Sequence, residues 1–301
     1  WTEQVLKMLE YFPQKSQAQL DNTDTWQKLQ DQLDKMLANI QAKIESRLDK
    51  LPQSREAVYA KINFSESLTK LNLINLKLKN QKFFPQQQIA NILFTAIKQS
   101  RNLRDRQAEA LALTNLARLY EMQVKPSETL TQKEIRNLAT AKKLTEQALS
   151  LSNEINADNR QILYTQRHQL GRIFRATGNI KAALSSYAEA WNILQSLRQD
   201  LVTSADNQFT FRQNIEPIYR EFIDLLLQYR DKNNLVLQTD RDKINIVLQT
   251  DRNEINIEKR ELQEESEAQK NPLYIARLVM QSLQLAELDN FFQEPCSQPV
   301  G

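Results

Sequence analysis

Apolar residues recur at three- and four-residue steps along most of this chain, which is the spacing of one face of an amphipathic helix. The first long run begins after Asp24, which supplies an N-cap, and ends near Leu51 and Pro52. Its apolar positions are Trp26, Leu29, Leu33, Met36, Leu37, Ile40, Ile44 and Leu48. Another run begins around Ser54. The pattern therefore predicts N-terminal helices over residues 1–53 and a series of further helices after them.

The most regular stretch is YTQRHQLGRIFRATGNIKAALSSYAEAWNIL, residues 164–194. Its small and aromatic residues fall at the spacings of a tetratricopeptide repeat, which is a pair of antiparallel helices. The matching positions are Leu170, Gly171, Phe174, Gly178, Asn179, Ala183, Tyr187 and Ala190. Gly171 and Ala183 would let the two helices approach closely, and Gly178 with Asn179 would close the turn. Gln195 departs from the pattern, because proline is common at that position.

Weaker copies of this pattern lie on both sides of the central repeat. The segments that would pair are 109–122 with 141–151, 57–68 with 89–100, and 215–228 with 274–292. An inserted loop is expected over residues 123–134. We therefore predict an all-α fold, a tetratricopeptide-like α-solenoid of four degenerate helix pairs. The pairs occupy residues 54–230, and residues 271–301 supply the final helix and a C-terminal tail.

An insertion over residues 231–270 separates the two helices of the last pair. It contains an eleven-residue tandem copy, VLQTDRDKINI followed by VLQTDRNEINI, over residues 236–257. Its Leu and Ile residues would share one face of an antiparallel β-meander, although a repeat of this length also returns almost to the same face of a helix. The Asn, Asp, Thr and β-branched residues favour the meander. We expect a small β-meander or irregular insertion with a structural role and no chemistry of its own.

Composition agrees with a helical fold. The chain has 301 residues, of which 41% are hydrophobic, and only three glycines and eight prolines. Strand-rich folds need more turn residues than this. The net charge of +3 and the lack of aromatic residues among the basic ones disfavour nucleic-acid binding. No apolar run is long enough to span a bilayer. The sequence does not determine the compartment, because a targeting signal could precede Trp1. The cytoplasm is slightly favoured.

Four phrases along the chain are more specific than the repeat pattern. They are LPQSREAVYAKINFSESLTKL (51–71), QAEALALTNLARLYE (107–121), LRQDLVTSADNQFTFRQNIEPIYREFIDLLLQ (197–228) and LQLAELDNFF (283–292). With them, about residues 51–294 resemble the tetratricopeptide region of bacterial, chiefly cyanobacterial, CHAT-domain proteins. In that family the last helix leads into a caspase-like peptidase domain.

This resemblance implies a non-catalytic scaffold for protein–protein interaction, which binds a protein or peptide and regulates the adjoining peptidase or recruits partners to it. It also implies that the chain stops before the peptidase domain could begin. The insertion over residues 231–270 departs from the short connection expected in the family. The alternative function is a stand-alone repeat protein that senses a peptide or ligand. The reading frame beyond Gly301 would separate the two.

Catalytic and metal-binding motifs are not found in the sequence. His168 and Cys296 are the only residues of their types, and the family's peptidase uses a Cys-His dyad. His168, however, falls in a repeat helix and Cys296 in a polar tail, where nothing supplies the oxyanion site that a nucleophile needs. We interpret both as ordinary surface residues. We expect no enzyme activity, cofactor or metal in this chain.

The candidate partner site is a mildly basic groove formed by the first helices of two repeats. Its residues are Thr114, Arg118, Met122, Thr165, His168, Arg172 and Arg175. First helices line the inner curve of stacked repeats, so these side chains would face a protein or peptide partner, possibly an acidic one. The alternative is that they form an ordinary solvated helix face. Oligomeric state is not indicated by the sequence.

Overall fold

The computed structural model describes residues 51–77, 84–124, 129–153, 160–201, 215–228 and 272–292, together with Phe211 and scattered positions from Lys35 to Lys50. Every regular element in these ranges is helical, which confirms the predicted all-α class for this part of the chain. The helices are α1 (Arg55–Lys77), α2 (Gln86–Asn102), α3 (Arg106–Glu121), α4 (Gln132–Asn153), α5 (Arg160–Ala176), α6 (Ile180–Leu201), α7 (Glu216–Gln228) and α8 (Pro272–Phe292).

Two predictions fall on residues outside the described ranges. The insertion over residues 231–270, with its expected β-meander, lies wholly outside them. Most of the N-terminal helices over residues 1–53 lie outside them as well. The predicted loop over residues 123–134 is shorter than expected, because α4 begins at Gln132. None of the helices described has the length and apolar character needed to cross a membrane.

Side-chain caps fix the start of α3 and α4. The Asp105 carboxylate accepts the backbone N–H of Ala108 at 3.0 Å, as an N-cap residue does. Ahead of α4, Thr131 and Glu134 form a reciprocal capping box. The Glu134 carboxylate accepts the Thr131 backbone N–H at 2.9 Å, and the Thr131 hydroxyl accepts the Glu134 backbone N–H at 3.3 Å. These local bonds satisfy N–H groups that the helix itself leaves without partners.

The turn between α5 and α6 is built as the sequence predicts. Gly178 adopts a φ of 76°, which residues with a side chain rarely tolerate. Asn179 then caps α6 by accepting the backbone N–H of Ala182 at 3.2 Å. The glycine and the asparagine thus reverse the chain and start the next helix within two residues.

The helices group into two compact units, Trp1–Glu154 and Ile155–Gly301. In the first unit α1 packs against α2 and α3, and α3 packs against α2 and α4. Apolar residues from all four helices meet in its core. Its fully buried members include Val58, Ile62, Ile89, Leu93, Leu116 and Ala148. Burial of these faces is the main stabilising term for such a helical unit.

In the second unit α6 lies between α5 and α7, and α8 packs against α7. Its core centres on α6 and α7, and includes Tyr187, Leu194, Ile218, Leu225 and Val279. The four predicted helix pairs, α1–α2, α3–α4, α5–α6 and α7–α8, are therefore each in contact.

Candidate binding face

Gly171 sets how closely α5 and α6 pack. A Cβ atom placed at Gly171 would lie 2.9 Å from Cδ2 of Tyr187, which is closer than real contacts allow. The Tyr187 ring therefore rests directly on the backbone of α5. Leu170 and Ile173 are buried beside it. This packing holds one face of α5 against α6 and determines where the neighbouring side chains point.

His168 lies at the centre of a partly buried polar group, which we call the His168 cluster: His168, Arg172, Tyr187 and Glu221. His168 Nε2 lies 2.8 Å from Glu221 Oε2, and its Nδ1 lies 3.1 Å from Arg172 Nη1. The neutral tautomer with a proton on Nε2 satisfies both contacts, since Nε2 donates and Nδ1 accepts. The Tyr187 hydroxyl donates to the same Glu221 oxygen at 2.8 Å. One carboxylate oxygen on α7 thus joins α5 and α6.

Aromatic contacts support the same cluster. The His168 and Tyr187 rings lie with their centroids 5.6 Å apart at a tilted angle. On its other side Tyr187 stacks on Phe222 of α7, at 6.1 Å between centroids. Only 6% of His168 is exposed. The interpretation of His168 as an ordinary surface residue is therefore wrong, because α7 covers a helix face that the sequence alone leaves open.

Charge states in the cluster follow from its burial and its partners. Burial by itself would raise the pKa of Glu221, but the contact with His168, the charge of Arg172 and the hydrogen bond from Tyr187 lower it to about 2. Burial raises the pKa of Tyr187 well above its ordinary value, and the Glu221 charge raises it further. At neutral pH the carboxylate is thus ionised and the phenol keeps its proton.

Arg175 continues the contact between α5 and α7 towards solvent. Its Nη2 atom donates to the Asp224 carboxylate, and to Gln228 Oε1 at 3.1 Å. Partial burial disfavours the charged form of Arg175, yet the hydrogen bond and charge of Asp224 keep its pKa above the ordinary value. The side chains of this pair are 30% and 54% exposed. It is therefore an ion pair that solvent, and hence a ligand, can reach.

The remaining predicted groove residues have varied surroundings. Thr165 is exposed at the start of the α5 face, and Arg172 is half-buried. In the first unit Thr114 is buried, and its hydroxyl donates to the carbonyl oxygen of Ala110 at 2.8 Å. Arg118 and Met122 follow on the same helix and are half-buried. The structure thus brings together His168, Arg172 and Arg175, and it places Thr114, Arg118 and Met122 in the other compact unit.

Sequence reasoning missed the acidic and amide side chains that face α5. These side chains recur at steps of three and four along α7: Glu221, Asp224 and Gln228. They contact the basic residues of α5, which recur at steps of four and three: His168, Arg172 and Arg175. The residues of each set share one face of their helix, so both sets can be recognised from their spacing in the sequence. Comparing the charges of successive first helices would have found the pairing.

No group of three His, Cys, Asp or Glu side chains within the described ranges is arranged to hold a metal ion. Cys296 lies outside the described ranges. The His168 cluster joins three helices of the second unit, α5, α6 and α7.

Neither a protein-family model nor any curated protein matches this sequence. The likeness to the repeat region of CHAT-domain proteins thus rests on the residues and phrases given above.

Proposed function

We propose that this chain is a non-catalytic, tetratricopeptide-like repeat scaffold that binds a protein or peptide partner and regulates an adjoining caspase-like peptidase. The arrangement of α5 and α7 is the observation that supports this most. The contacts from His168 to Glu221 and from Arg175 to Gln228 both join residues 53 positions apart. Because the residue on α7 advances by the same number of positions as its partner on α5, the two helices run side by side in the same direction. First helices of successive repeats in a solenoid are related in this way.

The chemistry of the His168 cluster supports a scaffold rather than an enzyme. Tyr187 is completely buried, so no substrate can reach its hydroxyl. A general acid or base works best with a pKa near the working pH, whereas Glu221 and Tyr187 have pKa values moved away from neutrality in opposite directions. Groups held in one charge state suit a structural joint between helices.

Arg175 is the residue through which an acidic partner would bind. Its ion pair with Asp224 is partly exposed, and ion pairs that solvent can reach contribute only about 0–1 kcal/mol. A carboxylate of the partner can therefore take the place of Asp224 at little cost. The contact between His168 and Glu221 is more deeply buried, so it would persist while the exposed pair opens.

This exchange would couple binding to the last helix pair. Asp224 belongs to α7, and α7 carries α8 against it. A partner that captures Arg175 loosens one of the bonds between α5 and α7, which changes how firmly α7 and α8 are held. Coupling energies between sites are typically about 1–3 kcal/mol, so the expected control of an attached peptidase is modest.

The test compares variants of the ion pair in binding an acidic probe, a fluorescent oligo-glutamate peptide followed by anisotropy. Asp224→Asn removes the internal competitor and should tighten binding up to about fivefold, while Arg175→Gln should abolish it. Arg220→Gln is the matched control. Arg220 is an exposed arginine on α7 that pairs with Glu216 of the same helix and has a longer contact with Glu287 of α8.

Equal binding by all four proteins, with helicity unchanged, would show that the α5 face has a structural role only. The regulatory part is tested separately in the longer protein that the resemblance implies. There, Arg175→Gln should remove the response of peptidase activity to the partner and leave basal activity unchanged. A stop codon directly after Gly301 would instead favour the stand-alone sensor.

A further inference from the structure

Helix α8 carries apolar residues both on the face that packs into the core and on much of its exposed side. On the inner face Ala276, Val279 and Leu283 are buried in the core of the second unit. The outer face carries five large apolar side chains, each between 37% and 50% exposed. They are Leu273, Tyr274, Met280, Leu285 and Leu288. A surface helix ordinarily carries polar residues on its exposed side, so these exposed apolar residues require an explanation.

The five side chains share one side of the helix. At 100° per residue, they fall within a sector of roughly 140° of the helix circumference, shared with Arg277, Gln281 and Gln284. Only three of the 21 residues of α8 carry a charge at neutral pH, namely Arg277, Glu287 and Asp289. Exposed apolar patches mark protein–protein contacts, and here Arg277 is the one charged residue within the sector.

The few charges of α8 are arranged asymmetrically along it. Arg277 lies in the first half of the helix, whereas Glu287 and Asp289 lie in the second. Glu287 has a long contact of 3.7 Å with Arg220 of α7, and 45% of its side chain stays exposed. Two such helices placed antiparallel bring each arginine near the other's acidic half. Placed parallel, they bring arginine against arginine and acid against acid.

We propose that the outer face of α8 is the interface between two copies of this chain, which pair antiparallel about a two-fold axis between Met280 and Gln281. In this register Leu273 of one copy lies opposite Leu288 of the other. Arg277 of one copy lies within one helical turn of Glu287 of the other. A two-fold contact uses the same patch twice, so a self-complementary pattern of charge fits a second copy of this chain. The proposal does not depend on the partner-binding function above.

The first test is the association state of the chain over a range of concentrations, measured by sedimentation velocity. We expect a reversible dimer, and Met280→Glu should weaken it about tenfold or more because two carboxylates then meet at the axis. The matched control is Phe94→Glu, which removes a similarly exposed apolar residue from α2 in the other unit. A chain that stays monomeric up to about 0.1 mM would overturn the proposal.

A second test determines the direction of pairing by disulfide cross-linking in a Cys296→Ser background. Leu273→Cys combined with Leu288→Cys should give covalent dimers under mild oxidation, because the two positions face each other only between copies. Within one helix they are roughly 22 Å apart and cannot bond. Leu273→Cys alone should not cross-link. Cross-linking by this single variant as efficiently as by the double variant would indicate parallel pairing and refute the proposed register.

The third test addresses the charges. Arg277→Glu should weaken the dimer, and adding Glu287→Arg in the same chain should restore it, because the swap preserves complementarity between antiparallel helices. Parallel helices would gain nothing from the second change. If the double variant keeps its helicity but recovers no association, the charges do not support a second copy of this chain as the partner of the outer face of α8.

Discussion

At Gly171 the missing side chain allows the Tyr187 ring to contact the backbone of α5 directly. An added Cβ would meet three atoms of that ring at 2.9–3.2 Å. In an open helix, Gly→Ala stabilises by up to about 1 kcal/mol. Here overpacking should outweigh that gain, so we predict that Gly171→Ala lowers the free energy of unfolding by about 1–3 kcal/mol, measured by urea denaturation.

The control for this prediction removes the Tyr187 ring, which is the group that an added Cβ would meet. Tyr187→Leu destabilises the protein by itself, since it loses the ring and its hydrogen bond to Glu221. In that background, however, Gly171→Ala should cost much less than in the wild type, because the clashing atoms are gone. Additive effects of the two changes would contradict the close contact as the cause.

Glu221 makes stability depend on pH in the acid range. Its pKa in the folded protein is about 2, below the ordinary value of 4.5. A carboxyl group whose pKa is lower in the folded protein than in the unfolded protein contributes its full stabilisation at pH values above the unfolded pKa. For Glu221 this contribution is lost as the pH falls from about 4.5 towards 2. Since 32% of the side chain is exposed, solvent screening limits the effect to about 1–2 kcal/mol.

We therefore predict that Glu221→Gln destabilises the protein at pH 7 and has little effect at pH 2. The measurement is the difference in unfolding free energy between wild type and variant at both pH values. Asp224→Asn is a suitable comparison, because the carboxylate at 224 is more exposed and should show a smaller change. A difference for Glu221→Gln that is the same at pH 7 and pH 2 would show that its charge does not contribute.

At the scale of elements, Asn72 ties the end of α1 to the start of α2. Its side chain accepts the backbone N–H of Phe84 at 2.8 Å and donates to the Phe84 carbonyl oxygen at 3.0 Å. Only 3% of Asn72 is exposed. These two hydrogen bonds hold the chain where it enters α2 at Pro85.

Asn72→Ala should accordingly destabilise the first unit by about 1–3 kcal/mol, because it leaves the backbone groups of Phe84 without partners. Thermal unfolding followed by circular dichroism measures the loss. Asn72→Asp keeps the acceptor and loses the donor, so an intermediate effect is expected. An aspartate variant less stable than the alanine variant would show that charge at this buried position dominates over the lost hydrogen bond.

For the whole molecule, the division into two compact units predicts that distant changes act independently. Asn72 and Gly171 belong to different units, and their contacts involve different helices. The destabilisation in the double variant Asn72→Ala/Gly171→Ala should equal the sum of the single effects to within about 0.5 kcal/mol. Calorimetry of the four proteins measures it. A larger departure would mean that the two sites are coupled energetically.

The sequence by itself determined the helices and their partners. Apolar spacing identified the four helix pairs, and Gly171, Gly178, Asn179 and Tyr187 occupy the roles expected for the α5–α6 pair. Such features depend on residues a few positions apart, on helix periodicity, caps and turns, which a sequence displays directly.

Only the tertiary structure decided what the polar residues of α5 do. His168, Arg172 and Arg175 share a helix face that the sequence presents as a basic groove, yet all three bond within the molecule. Two of them bond to side chains of α7, about 50 residues away along the chain. Local periodicity shows which residues share a face, but not what covers it. Burial, and with it the lowered pKa of Glu221, exists only once α7 packs against α5.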